Sequence, residues 1–315
     1  MHILVTGGCG FVGTMLVPSL LEKQHTVTVV DTLWFGNYLP EHPNLRVIQA
    51  DVRDVEKIPM QGVDAIIHLA NIANDPSGDL NAKLTWEVNV LASKLLIERA
   101  IACQVRQFIY ASSGSVYGVK DEERVTEDLA LVPISDYNKT KMISERVLLS
   151  YRDQIAVQCV RPATVCGYSP RMRLDLSVNL LTMAALRNGV ITVFGGDQTR
   201  PNIHIQDMVR VYHHFLEQGT ALTGCFNAGF ENLSILSIAE QVAEQIKSEI
   251  VVTPSNDPRS YRLCSDKLLN TGFTPKFSVA DGMSDVIQAV EQGILRDEDR
   301  YYNLRVMKAL GVGAM

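Results

Sequence analysis

Along the first half of the chain, short runs of β-branched and apolar residues alternate with longer segments whose apolar positions recur at helical spacing. "HILVT" is followed by a helical pattern over 11–23, "AIIHLA" by one over 80–103 and "QFIYASS" by one over 135–152. "TVTVVD", "RVIQAD" and "AVQCVRP" are further strand-like runs. Strands apolar on both faces and separated by amphipathic helices are the signature of βαβ units on a parallel sheet covered from both sides. The pattern therefore predicts an α/β fold, a Rossmann-type doubly wound parallel sheet. After about residue 166 the rhythm breaks. "GYSPRMR" reads as a loop, 174–188 as a helix, "ITVFGG" as a short strand and "SILSIAEQVAEQI" as an amphipathic helix, which predicts a smaller C-terminal α/β domain. The division drawn is 1–165 and 166–315 with interleaved segments. No linker rich in Pro, Gly or Ser parts the halves, so they are expected to pack directly and leave a cleft.

Composition narrows the function classes. A chain of 315 residues that is 46% hydrophobic buries a sizeable core. Its net charge of −6 comes without a basic run, so a nucleic-acid partner is not expected. No apolar stretch reaches the roughly 18 residues of a membrane helix, and "MHILVTGG" lacks the features of a signal peptide; a cytoplasmic location is expected, with no membrane partner. The six cysteines are scattered, with no C-x-x-C pair, and suggest neither a disulfide framework nor a metal site.

"HILVTGGCGFVGTMLVPSLL" sets Gly8, Gly10 and Gly13 in G-x-G-x-x-G between a strand and a helix. Glycine permits the tight turn that brings backbone N–H groups to a pyrophosphate, whose charge then meets the helix N-terminus. The next strand ends at Asp31, where a carboxylate would accept the adenosine ribose hydroxyls and repel a 2′-phosphate, favouring NAD over NADP. The alternative for Asp31 is a turn cap. Asp51, after the third strand, would meet the adenine amino group; taken alone it reads as a loop carboxylate.

Tyr137 and Lys141 stand four residues apart in "SDYNKTKMISERVLL" and so share a helix face. For a phenol to act as a base near neutrality its pKa must fall by about three units, roughly 4 kcal/mol, which a nearby ammonium and a cationic nicotinamide supply. Taken alone, the pair reads more readily as surface packing. Together with "TGGCGFVG", "ADVRD", "IIHLA", Asn89 of "EVNV", "YASSGSVYG", "VRPATVCG", "TRPNIHIQD" and "RSYRLCSDKL", it makes the chain resemble the extended short-chain dehydrogenase/reductase family, in its nucleotide-sugar epimerase and dehydratase branch.

That resemblance implies NAD as cofactor and a nucleotide-diphosphate sugar as substrate, bound by the second domain. Ser113, Tyr137 and Lys141 would be the catalytic set. Ser113 would hold the reacting sugar oxygen while Tyr137 takes its proton and Lys141 holds the phenolate and the nicotinamide ribose. Gly7, Gly10, Phe11, Val12, Gly13, Asp31, Asp51, Val52, Leu69, Ala70 and Asn71 would lie along the cofactor, and Asn89 would support the Tyr-Lys helix. Arg171, Arg200 and Arg259 would clamp the substrate's diphosphate, the planar guanidinium fork suiting phosphate. Thr164 and Asn179 would lie near the sugar and the phosphates. Thr164 departs from the Asn common in the family, and Pro201-Asn202 replace its usual acidic-aromatic pair. His68, His213 and His214 read as packing residues. A homodimer is expected through helices 81–103 and 137–152, whose Leu84, Val88, Leu91, Leu95 and Ile101 form a stripe that serves equally to face the chain's own sheet.

Dehydratases of the branch carry an acidic pair, or at least a Glu, just after the catalytic hydroxyl. Gly114 and Ser115 occupy those places, so a 4-epimerase or 4-dehydrogenase is expected. A 4,6-dehydratase, with Asp75 or Asp79 supplying the acid, and a non-catalytic NAD-binding regulatory protein are the alternatives.

Overall fold

The computed structural model describes residues 1–255 and 260–314. Each apolar run of the first half forms a strand: β1 (His2–Thr6), β2 (Thr26–Asp31), β3 (Leu45–Gln49), β4 (Ala65–His68), β5 (Gln107–Ala111) and β6 (Ala156–Pro162). The second half adds β7 (Thr164–Cys166), β8 (Val190–Phe194), β9 (Thr199–His204), β10 (Gly224–Ala228), β11 (Glu231–Ser234) and β12 (Glu249–Thr253). The main sheet runs β10-β6-β5-β4-β1-β2-β3, and every neighbouring pair is parallel. Its order reverses between β1 and β4. At such a reversal the connections leave toward opposite faces and open a crevice at the carboxyl ends of the strands.

Alternation along β1 shows why both faces are covered. Ile3 and Val5 join Leu16, Leu20 and Phe215 in one core; Leu4 joins Ile66, Leu96, Ile97 and Leu148 in the other, and all are fully buried. Leu84 and Val88 go into this second core, whereas Leu91 on the same predicted stripe is 52% exposed. The helix expected over 80–103 runs over Ala82–Ala102 with a π-turn at Glu87–Leu91 within it, and a separate short helix, Asp75–Leu80, precedes it. The π-turn places Asn89 inward.

The chain beyond 166 contributes the seventh strand, β10, to the first sheet and then builds two small sheets, β11-β9-β7 and β12-β8. Helices Ser177–Asn188, Ile235–Gln245 and Val279–Glu291 cover these, packing Val178, Leu181, Ile238, Val242 and Met283 against Ile191 and Val193 of β8. Among the described residues, no helix is long and apolar enough to cross a membrane, and no group of three or more His, Cys, Asp or Glu is arranged to hold a metal ion.

Candidate active site

One cleft of ≈ 1050 Å³ runs along the carboxyl ends of the main sheet and between its two halves. At one end lie Gly7, Gly10, Phe11, Val12, Gly13, Asp31, Asp51, Val52, Leu69, Ala70 and Asn71. Gly7 has φ +71°, and a Cβ there would stand 2.6 Å from the Ala70 nitrogen; one on Gly13 would stand 2.4 Å from the Gly8 carbonyl oxygen. Only glycine permits so close an approach, so the loop is shaped as a cradle for a group that needs backbone N–H donors. Asp31 accepts the N–H of Cys9 (3.0 Å) and of Leu33 (2.8 Å). Burial pushes its pKa up, opposed by those two N–H bonds and by the nearby Arg171 charge. Asp51 is gripped by Arg53 (2.9 Å). Asn89 does not line the cleft. Its side chain accepts from Ile72 N (2.9 Å) and donates to Thr140 Oγ1 (3.0 Å), tying the loop after β4 to the helix Asp136–Leu149.

That helix carries Tyr137 and Lys141 and is capped by Ser135, which accepts Asn138 N. Ser113, just beyond the end of β5, caps a short 3-10 turn and accepts the Ser115 N–H (3.2 Å). A chain of hydroxyls runs from Ser113 to Ser115 (2.6 Å) and on to the Asn138 side-chain oxygen (2.5 Å). Burial pushes the Tyr137 phenol up to about 12, while hydrogen bonding from the Ser113 side chain and the Asn74 backbone acts in the opposite direction. Lys141 lies behind the cleft wall, donating to the Ala111 carbonyl (2.6 Å), with its ammonium 5.8 Å from the centre of the Tyr137 ring. His68 is wedged between Thr6 (2.6 Å) and Ser93 (2.9 Å), and burial drives its pKa down to about 3; it is a packing residue. His213 and His214 are held by Ser19 and Thr271, and neither lines the cleft.

Burial also drives Lys141 down from 10.5 to about 7, with the Glu145 charge opposing. Below about 7 the folded protein carries a charge that would rather be in water. Between 7 and 10.5 the unfolded chain holds a proton that the folded one lacks, so stability rises with pH in that window. In the cofactor-free protein, Lys141→Met is expected to raise the unfolding midpoint over the parent most below pH 7. The advantage should shrink as pH rises, and one that grew with pH in thermal melts would contradict the assignment.

Several sequence expectations for the substrate half change. Arg171, expected at the substrate's phosphates, reaches the opposite end of the cleft: its guanidinium stacks 4.0 Å from the Phe35 ring centre, and Asp31 is one of the charges acting on it. The loop that carries it is pinned over the glycine turn by Ser169, which bonds the Phe11 carbonyl (2.7 Å) and the Thr14 hydroxyl (2.7 Å). Asn179 is fully buried and does not line the cleft; its amide accepts Gly167 N (3.0 Å) and donates to the Arg173 carbonyl (3.1 Å), so it shapes the loop. Thr164 and Arg200 do line the cleft. Arg259 lies outside the described residues.

Sequence reading missed three residues beside Tyr137, namely Asn74, Arg173 and Asp175, and named a fourth, Asp75, only as an alternative acid. Asn74 has φ +75° and ψ 159°, a conformation that costs a non-glycine residue about 1–3 kcal/mol and clusters at functional sites. Its side chain caps the helix Asp75–Leu80 and donates to Asp175 Oδ2 (3.1 Å). Asp175 is in turn gripped by Arg173 at 2.9 and 3.0 Å. Asp75 accepts the Ser135 hydroxyl (2.6 Å) at the cap of the Tyr137 helix. All four line the cleft. The charges of Asp75 and Arg173 act on the phenol with opposite signs, Asp75 raising its pKa and Arg173 lowering it.

Comparison with known proteins gives the same picture. The model of the NAD dependent epimerase/dehydratase family matches residues 3–229. The structure of a UDP-glucose 4-epimerase from Thermotoga maritima with UDP-glucose superposes with a TM-score of 0.85 at 26% identity, over 94% of this chain and 100% of that one. A UDP-glucuronic acid 4-epimerase from Bacillus cereus, in complex with UDP-glucuronic acid and NAD, gives 0.82 at 27% identity, over 93% and 99%. A dTDP-glucose 4,6-dehydratase of Streptomyces niveus is 26% identical over 91% of this chain and 92% of its own length.

Proposed function

The chain belongs to the NAD-dependent epimerase/dehydratase family, and from that premise we propose that it oxidises a nucleotide-diphosphate sugar at C4 and reduces it again as a 4-epimerase, or releases the ketone, without loss of water. The observation that carries this reading is the composition of the strand-end turn. Ser113 and Tyr137 share the cleft, and the two residues after Ser113 are Gly114 and Ser115, neither of which transfers a proton near neutral pH. Ser115 is moreover engaged with Ser113 and Asn138.

The cradle at Gly7 and Gly13 fits a dinucleotide pyrophosphate, and Asp31 and Asp51 fit the adenosine beyond it. NAD, when bound there, supplies a hydride acceptor and then a hydride donor. The protein's own part is proton and position. Tyr137 Oη takes the proton of the C4 hydroxyl as the C4–H bond breaks and its electron pair leaves as hydride, so C4 becomes a carbonyl. Ser113 hydrogen-bonds the same oxygen through both states. Arg173 provides positive charge beside the phenol, and Lys141 adds a second behind it when protonated; together with the charge of a bound nicotinamide these would have to bring the phenol down from about 12. Returning the proton from Tyr137 as hydride reaches the other ring face inverts C4. At the far end Arg200 suits the diphosphate, and the ring of Phe194, 63% exposed on the cleft wall, suits a nucleobase.

A second reading, the 4,6-dehydratase, is favoured by one observation: Asp75 stands close enough to Tyr137 for its charge to act on the phenol. Incubation of the purified chain with NAD and a panel of UDP- and dTDP-sugars, read by mass spectrometry, separates the two. Product mass unchanged, or lower by two hydrogens, is the expected result. Loss of one water would overturn it in favour of Asp75 chemistry.

A further inference from the structure

We propose that the C-terminal segment, from Asp299 onward, forms the outer wall of the adenosine end of the cofactor site and controls how fast the cofactor leaves. This rests on the placement of NAD along Gly7–Gly13 and Asp31 given above.

Having left the second half after the helix Val279–Glu291, the chain crosses back over the first. Tyr301, 4% exposed, enters a small apolar cluster with Phe11 of the glycine turn and Met172, and its carbonyl accepts Leu174 N (2.9 Å). The short helix Asn303–Ala309 then runs along the cleft mouth. Asn303, 5% exposed, accepts Arg171 Nη2 at 2.6 Å, and the Arg171 Cζ sits 4.0 Å from the ring centre of Phe35, four residues beyond Asp31. Met307, 2% exposed, is buried in the same core as Val30 and Val52, against which Trp34 and Phe35 pack. Beyond the helix, Asn81 Nδ2 donates to the Val312 carbonyl (3.1 Å).

Two physical features make this wall more than packing. First, Arg171 is 2% exposed, lines the cleft and forms no direct ion pair among the described residues, although the charges of Asp175 and Asp31 act on it, and its Nε has no hydrogen-bond partner. A buried guanidinium is costly without an anion or acceptor, so this one is poised for an acceptor on whatever fills the adenosine end. Asn303 of the C-terminal helix is what aims it. Second, the segment is attached by a few hydrogen bonds and a few apolar side chains. It is therefore a unit that opens locally, well below the cost of global unfolding. A dinucleotide seated in the cleft has this wall between its adenosine and solvent, so its departure waits on that opening.

The test measures dissociation of bound NADH from the full-length parent, Asn303→Ala and Met307→Asp. NADH fluorescence is followed after a chase with excess NAD, and thermal melts verify that each variant is folded. Dissociation at least 10-fold faster in both variants is expected. Met307→Asp is the more disruptive change, and Asn303→Ala carries the test alone if the first does not fold. A parent that retains NADH while folded variants release it at the parent's rate would overturn the wall and leave the cofactor reading intact. A parent that binds no NADH would overturn the cofactor reading itself and the wall with it.

Discussion

Tyr137→Phe is expected to lower kcat on the identified nucleotide sugar by about 10³-fold, within the roughly 10²–10⁴ that a positioned general acid or base contributes. NAD affinity should change little. The substitution removes one oxygen from a partly buried ring on the cleft wall whose surroundings are otherwise unchanged. Packing of Gly78 against the Tyr137 backbone and the seat of the Lys141 ammonium 5.8 Å from the ring centre both survive. What disappears is the oxygen that is hydrogen-bonded by both the Ser113 side chain and the Asn74 backbone. Steady-state kinetics alongside calorimetry of NAD binding checks both halves of the expectation. Turnover near the parent's would remove Tyr137 from the chemistry, and a loss of NAD binding as large as the loss of rate would make it a structural residue.

How far the chain's function can be read from its residues depends on whether each residue's role is set locally. The glycine turn was legible because strand, turn and helix are contiguous, and the steric demand on Gly13 comes from Gly8, five residues away. Ser113, Tyr137 and Lys141 could be grouped from their order and the helical i, i+4 spacing, and the structure sets Ser113 and Tyr137 in one cleft with Lys141 behind its wall. Arg171 was not. Its residue type suits phosphate, but its direction depends on bonds from Ser169 to Phe11 and Thr14, more than 150 residues earlier in the chain, that fold the loop back across the glycine turn. Asn179 failed for the same reason, since an amide at that position satisfies either a ligand or the Gly167 backbone, and tertiary packing chose the backbone. Asn74 carried no signal at all: a positive φ in a non-glycine residue is held by its surroundings, here Asp175 and the helix it caps. The crossing of the C-terminal segment was equally invisible, because its anchors are single side chains without a periodic pattern.

Glu145→Ala is expected to destabilise the protein by about 3–5 kcal/mol, the usual cost of stranding one partner of a buried ion pair. Glu145 and Arg161 are 2% and 5% exposed and meet through two parallel bonds, Nε to Oε1 at 2.9 Å and Nη2 to Oε2 at 2.7 Å. At roughly 2–4 °C per kcal/mol for a chain somewhat smaller than this one, that cost corresponds to a fall in the unfolding midpoint of about 6–20 °C, and somewhat less in this longer chain. The double variant Glu145→Met with Arg161→Met should recover much of that, because it removes both charges together rather than leaving a guanidinium without its counter-ion. The pair also has a place in the chemistry. Glu145 lies one turn beyond Lys141 on the Tyr137 helix and accepts the hydroxyl of Ser112, the residue before Ser113, at 2.5 Å. Arg161 stands on β6 and donates to Tyr117 Oη at 2.6 Å, beyond the serine turn. One carboxylate thus joins the helix that holds the base to the strand end that holds the hydroxyl, and a guanidinium fixes both to the next strand. The single variant, assayed well below its melting temperature, should consequently lose kcat as well as stability, and the double variant should regain stability without regaining kcat, since Ser112 still lacks its acceptor. Recovery of both together would mean that the pair serves the fold alone, and a single-variant cost under about 1 kcal/mol would mean that Arg161 finds another partner.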